Sequence, residues 1–395
     1  MITRQAVGLI ALLLIFISAC SQSTDLPAAA LEPQFGTSRD DYAVDVAVQR
    51  RLGHVYVAGN FGERAFLRRY RRDGSLAWER QLGNRTRAVA AAVDGEGSSY
   101  LAFAEYDDPC CFLGTRRGAS VIKYGASGAQ LWRRSYPDLH SMAVDASGHL
   151  YVGGENAVRK YAPSGALIWE RRPSNRGARI TNVAVAPSGN VVAASDNGLI
   201  VKYDARGTQL FRSTRNFRYS GAVNVALGPN EEIAATYTDS GMEGTVLSAG
   251  LRVFAPDGTE RWGDSVYTFG SSASPAVTFT ADGHLYWTTE HWACGGSFTF
   301  DYEVWDLTCS GDDDSDPSRS AILVRKYRPD GAVVWSRVFN KHRHGTDASA
   351  AIAAASASEL YVVGATESPV NGVRAGGVDA FVLRLDSQGK RVWSR

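Results

Sequence analysis

Four cysteines beyond the N-terminal segment, Cys110, Cys111, Cys294 and Cys309, carry the most reactive side chains of the chain. Four thiols allow three pairings. One set joins Cys294 to Cys309 and Cys110 to its neighbour Cys111; the other sets bridge the two cysteine-bearing segments. A zinc site fits poorly, because the adjacent pair lacks C-x-x-C spacing. Asp312, Asp314 and Asp316, with Asp313 between them, are hard oxygen donors of the kind Ca²⁺ takes. They do not match the whole EF-hand loop D-x-[DN]-x-[DN]-G-x5-E, and such acidic runs are usually solvated. His342 and His344, with His291, offer imidazoles to a transition metal, although two histidines at i, i+2 on a loop read equally well as plain surface. His54, His149 and His284 recur at one register of a repeat and so read as structural. G-x-S-x-G, H-E-x-x-H, a Walker loop and a G-x-G-x-x-G in βα context are all missing from the sequence.

What must position these groups is a repeat. Seven phrases read as strand, tight turn, strand, and each closes on an aromatic residue: Trp78 (FLRRYRRDGSLAW), Trp132 (VIKYGASGAQLW), Trp169 (VRKYAPSGALIW), Phe211 (IVKYDARGTQLF), Trp262 (LRVFAPDGTERW), Trp335 (LVRKYRPDGAVVW) and Trp393 (FVLRLDSQGKRVW). Each follows a second hairpin, an alternating small-apolar run, an Asp- or Pro-x-Gly turn and another alternating run, as in SMAVDASGHLYVGG at 141–154. A unit is therefore four short strands, A to D. Seven such units, with their aromatic residues 37 to 73 positions apart, describe an all-β, seven-bladed β-propeller of four-stranded blades. A single unit cannot bury both of its faces, so the blades must lean on each other in a ring. Strand A would line the hub. Strand D would be outermost, its aromatic residue and an adjacent apolar residue packing between blades.

This connectivity puts A–B and C–D turns on one side of the disc and B–C and D–A connections on the other. The first side is stereotyped. The second carries a blade-two insert from Glu105 through Tyr106 to Gly114, a blade-five stretch from Thr238 to Gly250, and a long blade-six insert from Glu290 to Asp316. The blade-six insert is rich in aromatics: Trp292, Phe298, Phe300, Tyr302 and Trp305. His140, His342 and His344 fall on D–A connections of the same side. Unlike loops on a rigid scaffold are where binding is usually built. Tyr106, His291, Trp292, Phe298, Tyr302, Trp305, His342 and His344 are accordingly the expected binding face.

Residues 1–19 hold Arg4 followed by an apolar run from Ala6 to Ala19, too short to span a bilayer. The run ends Ile17-Ser18-Ala19-Cys20, which resembles the bacterial lipobox, in which the cysteine is lipidated and becomes the new N-terminus. Residues 20–35 (CSQSTDLPAAALEPQF) then read as lipidated cysteine and tether, and 36–395 as the propeller. Two or more acyl chains would anchor the protein stably to a membrane. Ser21, where the inner-membrane sorting signal has Asp, points to the outer membrane of a Gram-negative envelope. Losing Arg4 from the 42 Lys and Arg residues leaves 41 against 41 Asp and Glu, a balance that excludes a general nucleic-acid binder. Leu31–Gly36 is similar to the tail that follows Trp78, so the first residues are expected to continue or pair with the outer strand of the last blade.

DAFVLRLDSQGKRVWSR at 379–395, preceded by LYVVGATESPV, resembles the SBBP-type seven-bladed repeat of exported bacterial proteins. The Y-x-x-x-G-x-x-x-W phrase is also similar to the repeat of PQQ-like quinoprotein propellers. The resemblance spans 36–395 and weakens in blades four and five, where Phe211 replaces Trp. It implies fold and export, and no single activity. Cys110–Cys111 resembles the vicinal disulfide that stacks on the cofactor of quinoprotein alcohol dehydrogenases. Those enzymes have eight blades and an ordered set of Ca²⁺ ligands, which do not match here. The expectation is a monomeric, lipid-anchored binding or scaffold module for an envelope protein or glycan, without a cofactor. A PQQ- or metal-dependent oxidoreductase, or a polysaccharide-acting enzyme, is the alternative.

Overall fold

A computed structural model describes residues 36–107, 116–136, 138–173, 177–214, 224–240, 246–270, 275–292, 297–301, 306–310, 320–339, 347–367 and 377–395. The chain divides into two units, Met1–Leu31 and Glu32–Arg395, and the second contains all of them. Cys20, the lipobox and residues 31–35 lie outside the described residues. Among these, no helix is long and apolar enough to cross a membrane.

The described residues form seven four-stranded antiparallel sheets, each in the order A-B-C-D. In blade one the strands are Asp41–Gln49, His54–Phe61, Arg64–Tyr70 and Leu76–Gln81. Blades two to seven occupy 86–136, 141–171, 180–214, 224–270, 276–339 and 347–394. A separate hairpin, Ser297–Asp301 with Asp306–Ser310, lies between strands B and C of blade six. The stretch expected as a loop in blade five is largely an extension of its hairpin. Strands B and C run Ile233–Ser240 and Val246–Phe254, with Thr238 paired to Ala249.

Strands B and C are buried at consecutive positions, whose side chains point to opposite faces, so every sheet has two faces to cover. The core accordingly splits into seven clusters, one per seam between consecutive blades. The seam joining blade seven to blade one packs Tyr361, Val363, Val382 and Trp393 against Val55, Val57, Phe66 and Tyr70, which closes the ring. Asp41 N donates to Val378 O (2.8 Å) and Val378 N to Asp40 Oδ1 (3.2 Å) at the same seam.

At the hub, strand A of one blade does not form a ladder with strand A of the next. Its backbone N–H groups must find other acceptors. Neighbouring side chains supply them: Asp45 Oδ2 accepts from Ala91 N (2.8 Å), Ser141 Oγ from Val183 N (2.9 Å) and Asn182 Oδ1 from Val225 N (3.2 Å).

At the rim the expectation was half right. The aromatic residue of strand D packs between blades, but the apolar residue before it does not. The register between strands C and D slips by one residue just before the aromatic residue in all seven blades. The skipped residue of such a β-bulge is turned outward. Leu131, Ile168, Leu210, Val334 and Val392 therefore face solvent, with exposures from 46% (Val334) to 56% (Leu131). A bulge in the outermost strand also spoils it as a template for pairing with another chain.

Candidate functional site

The two sides of the disc differ in what their side chains do. On the A–B and C–D side, one set of contacts recurs from seam to seam, and turn aspartates such as Asp73, Asp257 and Asp386 accept from backbone N–H groups of their own turns. Trp78 Nε1 donates to Ala126 O in the next blade (3.3 Å), Trp169 to Ala205 O (3.2 Å), Trp262 to Pro329 O (3.3 Å), Trp335 to Ser387 O (2.9 Å) and Trp393 to Arg72 O (3.3 Å). Each acceptor sits two residues before a glycine of the C–D turn. Gly128 has φ +81, a conformation that favours glycine, and its missing Cβ leaves room for Trp78 Cδ2, which would lie 3.0 Å from it. An arginine two residues after the tryptophan completes the clamp. Arg80, Arg171 and Arg395 lie over Trp78, Trp169 and Trp393 at 5.5, 5.6 and 5.5 Å and donate to Gly128 O, Gly207 O and Gly74 O. Of the recurring histidines, His149 pairs with Asp145 (3.0 Å), His284 with Asp282 (3.0 Å), and His54 contacts Arg69 and Gln49. These are structural roles, as their repetition suggested.

The opposite side carries a network that does not repeat. Strand C of blade two begins at Arg116. Its guanidinium contacts His140 Nδ1 (3.1 Å) and the carbonyl of Leu139. His140 Nε2 meets Glu155 Oε1 at 3.0 Å. An arginine can only donate, so Nδ1 is the acceptor and Nε2 carries the proton given to Glu155. This fixes one tautomer of a neutral imidazole. Burial, and then the charge of Arg116, hold His140 below its usual range, against the pull of Glu155.

Glu155 is placed by a two-residue hairpin turn, in which Asn156 adopts φ 50 and Gly154 pairs with Ala157. Its backbone N donates to Asp138 Oδ2 (2.9 Å), and Asp138 Oδ1 takes Arg159 (3.0 Å), which also holds Glu170 (2.8 Å). Glu155 bridges to Arg179 through the backbone, and Arg179 pairs with Asp196 of blade four (3.3 Å). Toward blade one, Glu105 pairs with Arg133 (2.7 Å) and Asp107 with Arg117. The guanidinium of Arg87 lies 5.4 Å from the ring of Tyr106. The result is a surface of paired charges over blades two to four, able to exchange those pairs for a polar partner.

Of the expected binding-face residues, Tyr106 is thus part of this surface. His291 and Trp292 end strand B of blade six, their backbones paired with Ala321 and Ser320. Phe298 lies opposite Cys309 in the insert hairpin. Tyr302, Trp305, His342, His344, Asp312, Asp314, Asp316, Cys110, Cys111 and Cys294 lie outside the described residues. Among the described residues, no three His, Cys, Asp or Glu side chains gather as metal ligands. Arg116, Glu155, Asp138, Arg179 and Asp196 were not legible beforehand, since each takes its partner from another hairpin or blade. Trp78, Trp132, Trp169, Phe211, Trp262, Trp335 and Trp393 belong to the apolar clusters between consecutive blades.

Comparison with known proteins is consistent with the repeat. The family model described as outer membrane protein assembly factor BamB, a PQQ-like repeat model, matches residues 117–290. The seven-bladed β-propeller itself rests on the seven four-stranded sheets, and the PQQ-like repeat match is confined to 117–290. Among solved structures it is similar to BamB from Moraxella catarrhalis, at 14% identity and a TM-score of 0.43, over 86% of this chain and 82% of that one. It is also similar to a protein of unknown function from Bacteroides caccae, at 14% identity and a TM-score of 0.41, over 59% of this chain and 94% of that one. No curated protein matches it in sequence.

Proposed function

We propose that this propeller is an exported, lipid-anchored binding or scaffold module that holds an envelope protein or glycan on its B–C and D–A face. One contrast carries the reading. The A–B and C–D turns are stereotyped and make the same contacts within the turn and with the neighbouring blade, whereas the other face bears loops of unlike length and a non-repeating set of paired charges. A rigid ring with one variable face suits recognition. The lipobox-like segment ending at Cys20 supports attachment to a membrane, and the BamB description of the matching family model supports a place in the envelope.

Deleting residues 293–319 tests the reading. Trp292 and Ser320 pair directly, so an Asn-Gly turn can reconnect strands B and C of blade six without disturbing the sheet. The mature chain and the deletion variant, both carrying Cys20→Ser, are used to capture partners from cross-linked envelopes. The deletion is expected to lose capture while keeping its unfolding temperature. Unchanged capture would remove the blade-six insert from the binding face.

A further inference from the structure

The clamp that joins consecutive blades lacks both its indole and its arginine at one seam. At the seam between blades four and five the aromatic residue is Phe211, which has no N–H to give to the facing turn, and the position two residues later is Ser213 instead of arginine. Phe211 still packs on Phe254, ring centroids 6.5 Å apart. Strand B of these blades has Val192 and Ala234 where blades one, two, three, six and seven have a tyrosine under the tryptophan.

A different contact stands at this seam. Glu231 lies in the A–B turn of blade five. Its carboxylate accepts from Ser188 Oγ (2.7 Å) and Asn190 Nδ2 (2.8 Å) in the A–B turn of blade four, and pairs with Lys202 Nζ (2.7 Å) on strand C of blade four. All three partners belong to the preceding blade. Glu231 also has φ 63, at the turn position where blades two, three, four and six have Gly97, Gly148, Gly189 and Gly283, with φ between 81 and 83. A non-glycine residue in the left-handed region is strained. Here the residue that bears that strain is the one whose side chain crosses the seam.

We propose that the seam between blades four and five is the opening point of the ring, latched by Glu231 in place of the tryptophan–arginine clamp. Local opening follows the contacts that oppose it, and a seam in which one polar cluster stands in place of the clamp, beside the apolar contacts every seam has, opens more readily than one that keeps indole, guanidinium and turn together. The seam between blades five and six also lacks the arginine, but Trp262 still donates to Pro329 O, and Asp264 takes Arg325 and Tyr327 Oη, both at 2.6 Å. Among the described residues, the charged tie across the blade four–five seam is the one that Glu231 makes to Lys202.

Hydrogen exchange read by mass spectrometry on the mature chain tests this. In the parent protein, amides of 209–213 and 224–227 should exchange faster than those of the equivalent strands at the other seams. Glu231→Gly separates the two ways of reading the residue. If the side chain latches the seam, exchange there rises roughly tenfold, the loss expected for a charged hydrogen-bond cluster, although the backbone strain is relieved. Adding Phe211→Trp and Ser213→Arg, which rebuild the clamp, should return exchange to the parent level. If Glu231→Gly leaves exchange unchanged or slows it, or if another seam exchanges fastest in the parent, the proposal is overturned.

Discussion

The indole N–H of Trp393 donates to the carbonyl of Arg72 at 3.3 Å, joining the last strand to a turn 321 positions earlier in the chain. Arg395 stacks on the same indole and donates to Gly74 O at 3.1 Å. The last blade grips the first by the same device that links most other neighbours, added to the apolar contacts of that seam. Trp393→Ala should cost about 3–5 kcal/mol, the range for deleting a buried aromatic side chain. Trp393→Phe keeps most of the packing and loses the hydrogen bond, at about 1 kcal/mol. Urea unfolding followed by tryptophan fluorescence measures both, with the change in tryptophan number taken into account in the signal.

The turn glycines give a sharper comparison. A Cβ on Gly128 would lie 2.9 Å from Arg80 Nη2 and 3.0 Å from Trp78 Cδ2, at φ +81, whereas one on Gly118 would meet nothing within 4 Å. Gly128→Ala should lower stability by about 1–3 kcal/mol through strain and displacement of the clamp. Gly118→Ala should leave it unchanged or raise it slightly by reducing the freedom of the unfolded chain. Equal effects at the two positions would contradict the role given to the clamp.

Two carboxylates bend the pH dependence of stability in opposite directions. Burial alone would raise Glu231, but the hydrogen bonds from Lys202, Ser188 and Asn190 outweigh it and hold the group down at about 2, against an ordinary 4.5. Its stabilisation is present above pH 4.5 and is lost as the pH falls toward 2. Asp45 at the hub is pushed up to about 6 by burial, against the N–H bonds from Ala91 and Val46. The folded state holds that proton more tightly, so its contribution is full below pH 3.8 and is lost as the pH rises through 6. Glu231→Gln should flatten the acid limb, and Asp45→Asn the slope between pH 4 and 6, in denaturation curves collected across that range.

His140 should titrate below 6.5 by NMR, because burial and then the charge of Arg116 disfavour the protonated ring. Arg116→Ala should raise the midpoint, and Glu155→Gln should lower it further. An unchanged midpoint in both variants would remove His140 from the charge network.

The seven closing aromatic residues made the architecture legible, because each recurs after the same turn and a repeat cannot be buried except by its neighbours. The arginine two places after Trp78, Trp132, Trp169, Trp335 and Trp393 was equally visible, yet its meaning was not. Nothing in a sequence says that a guanidinium lies over the indole two residues before it while bonding a turn in the next blade. The outward turn of Leu131, Ile168 and Leu210 was hidden for a related reason. Alternation predicts facing from parity, and a bulge shifts parity by one residue. Glu231 left a trace in GPNEEI, where the other turns read like DASGHL, but its partners at 188, 190 and 202 belong to another blade. The Arg116–His140–Glu155 contact spans separations of 24 and 15 residues, between hairpins that no local pattern pairs.

The central claim, that partners are held on the B–C and D–A face, is tested most directly by site-specific photo-crosslinking in intact envelopes. A benzophenone side chain at Glu155 or Tyr106 probes that face, and one at Ser147 or Asp257 probes the turns of the other. The account predicts a discrete adduct from the first pair and none from the second. An adduct formed only from Ser147 or Asp257 would contradict it.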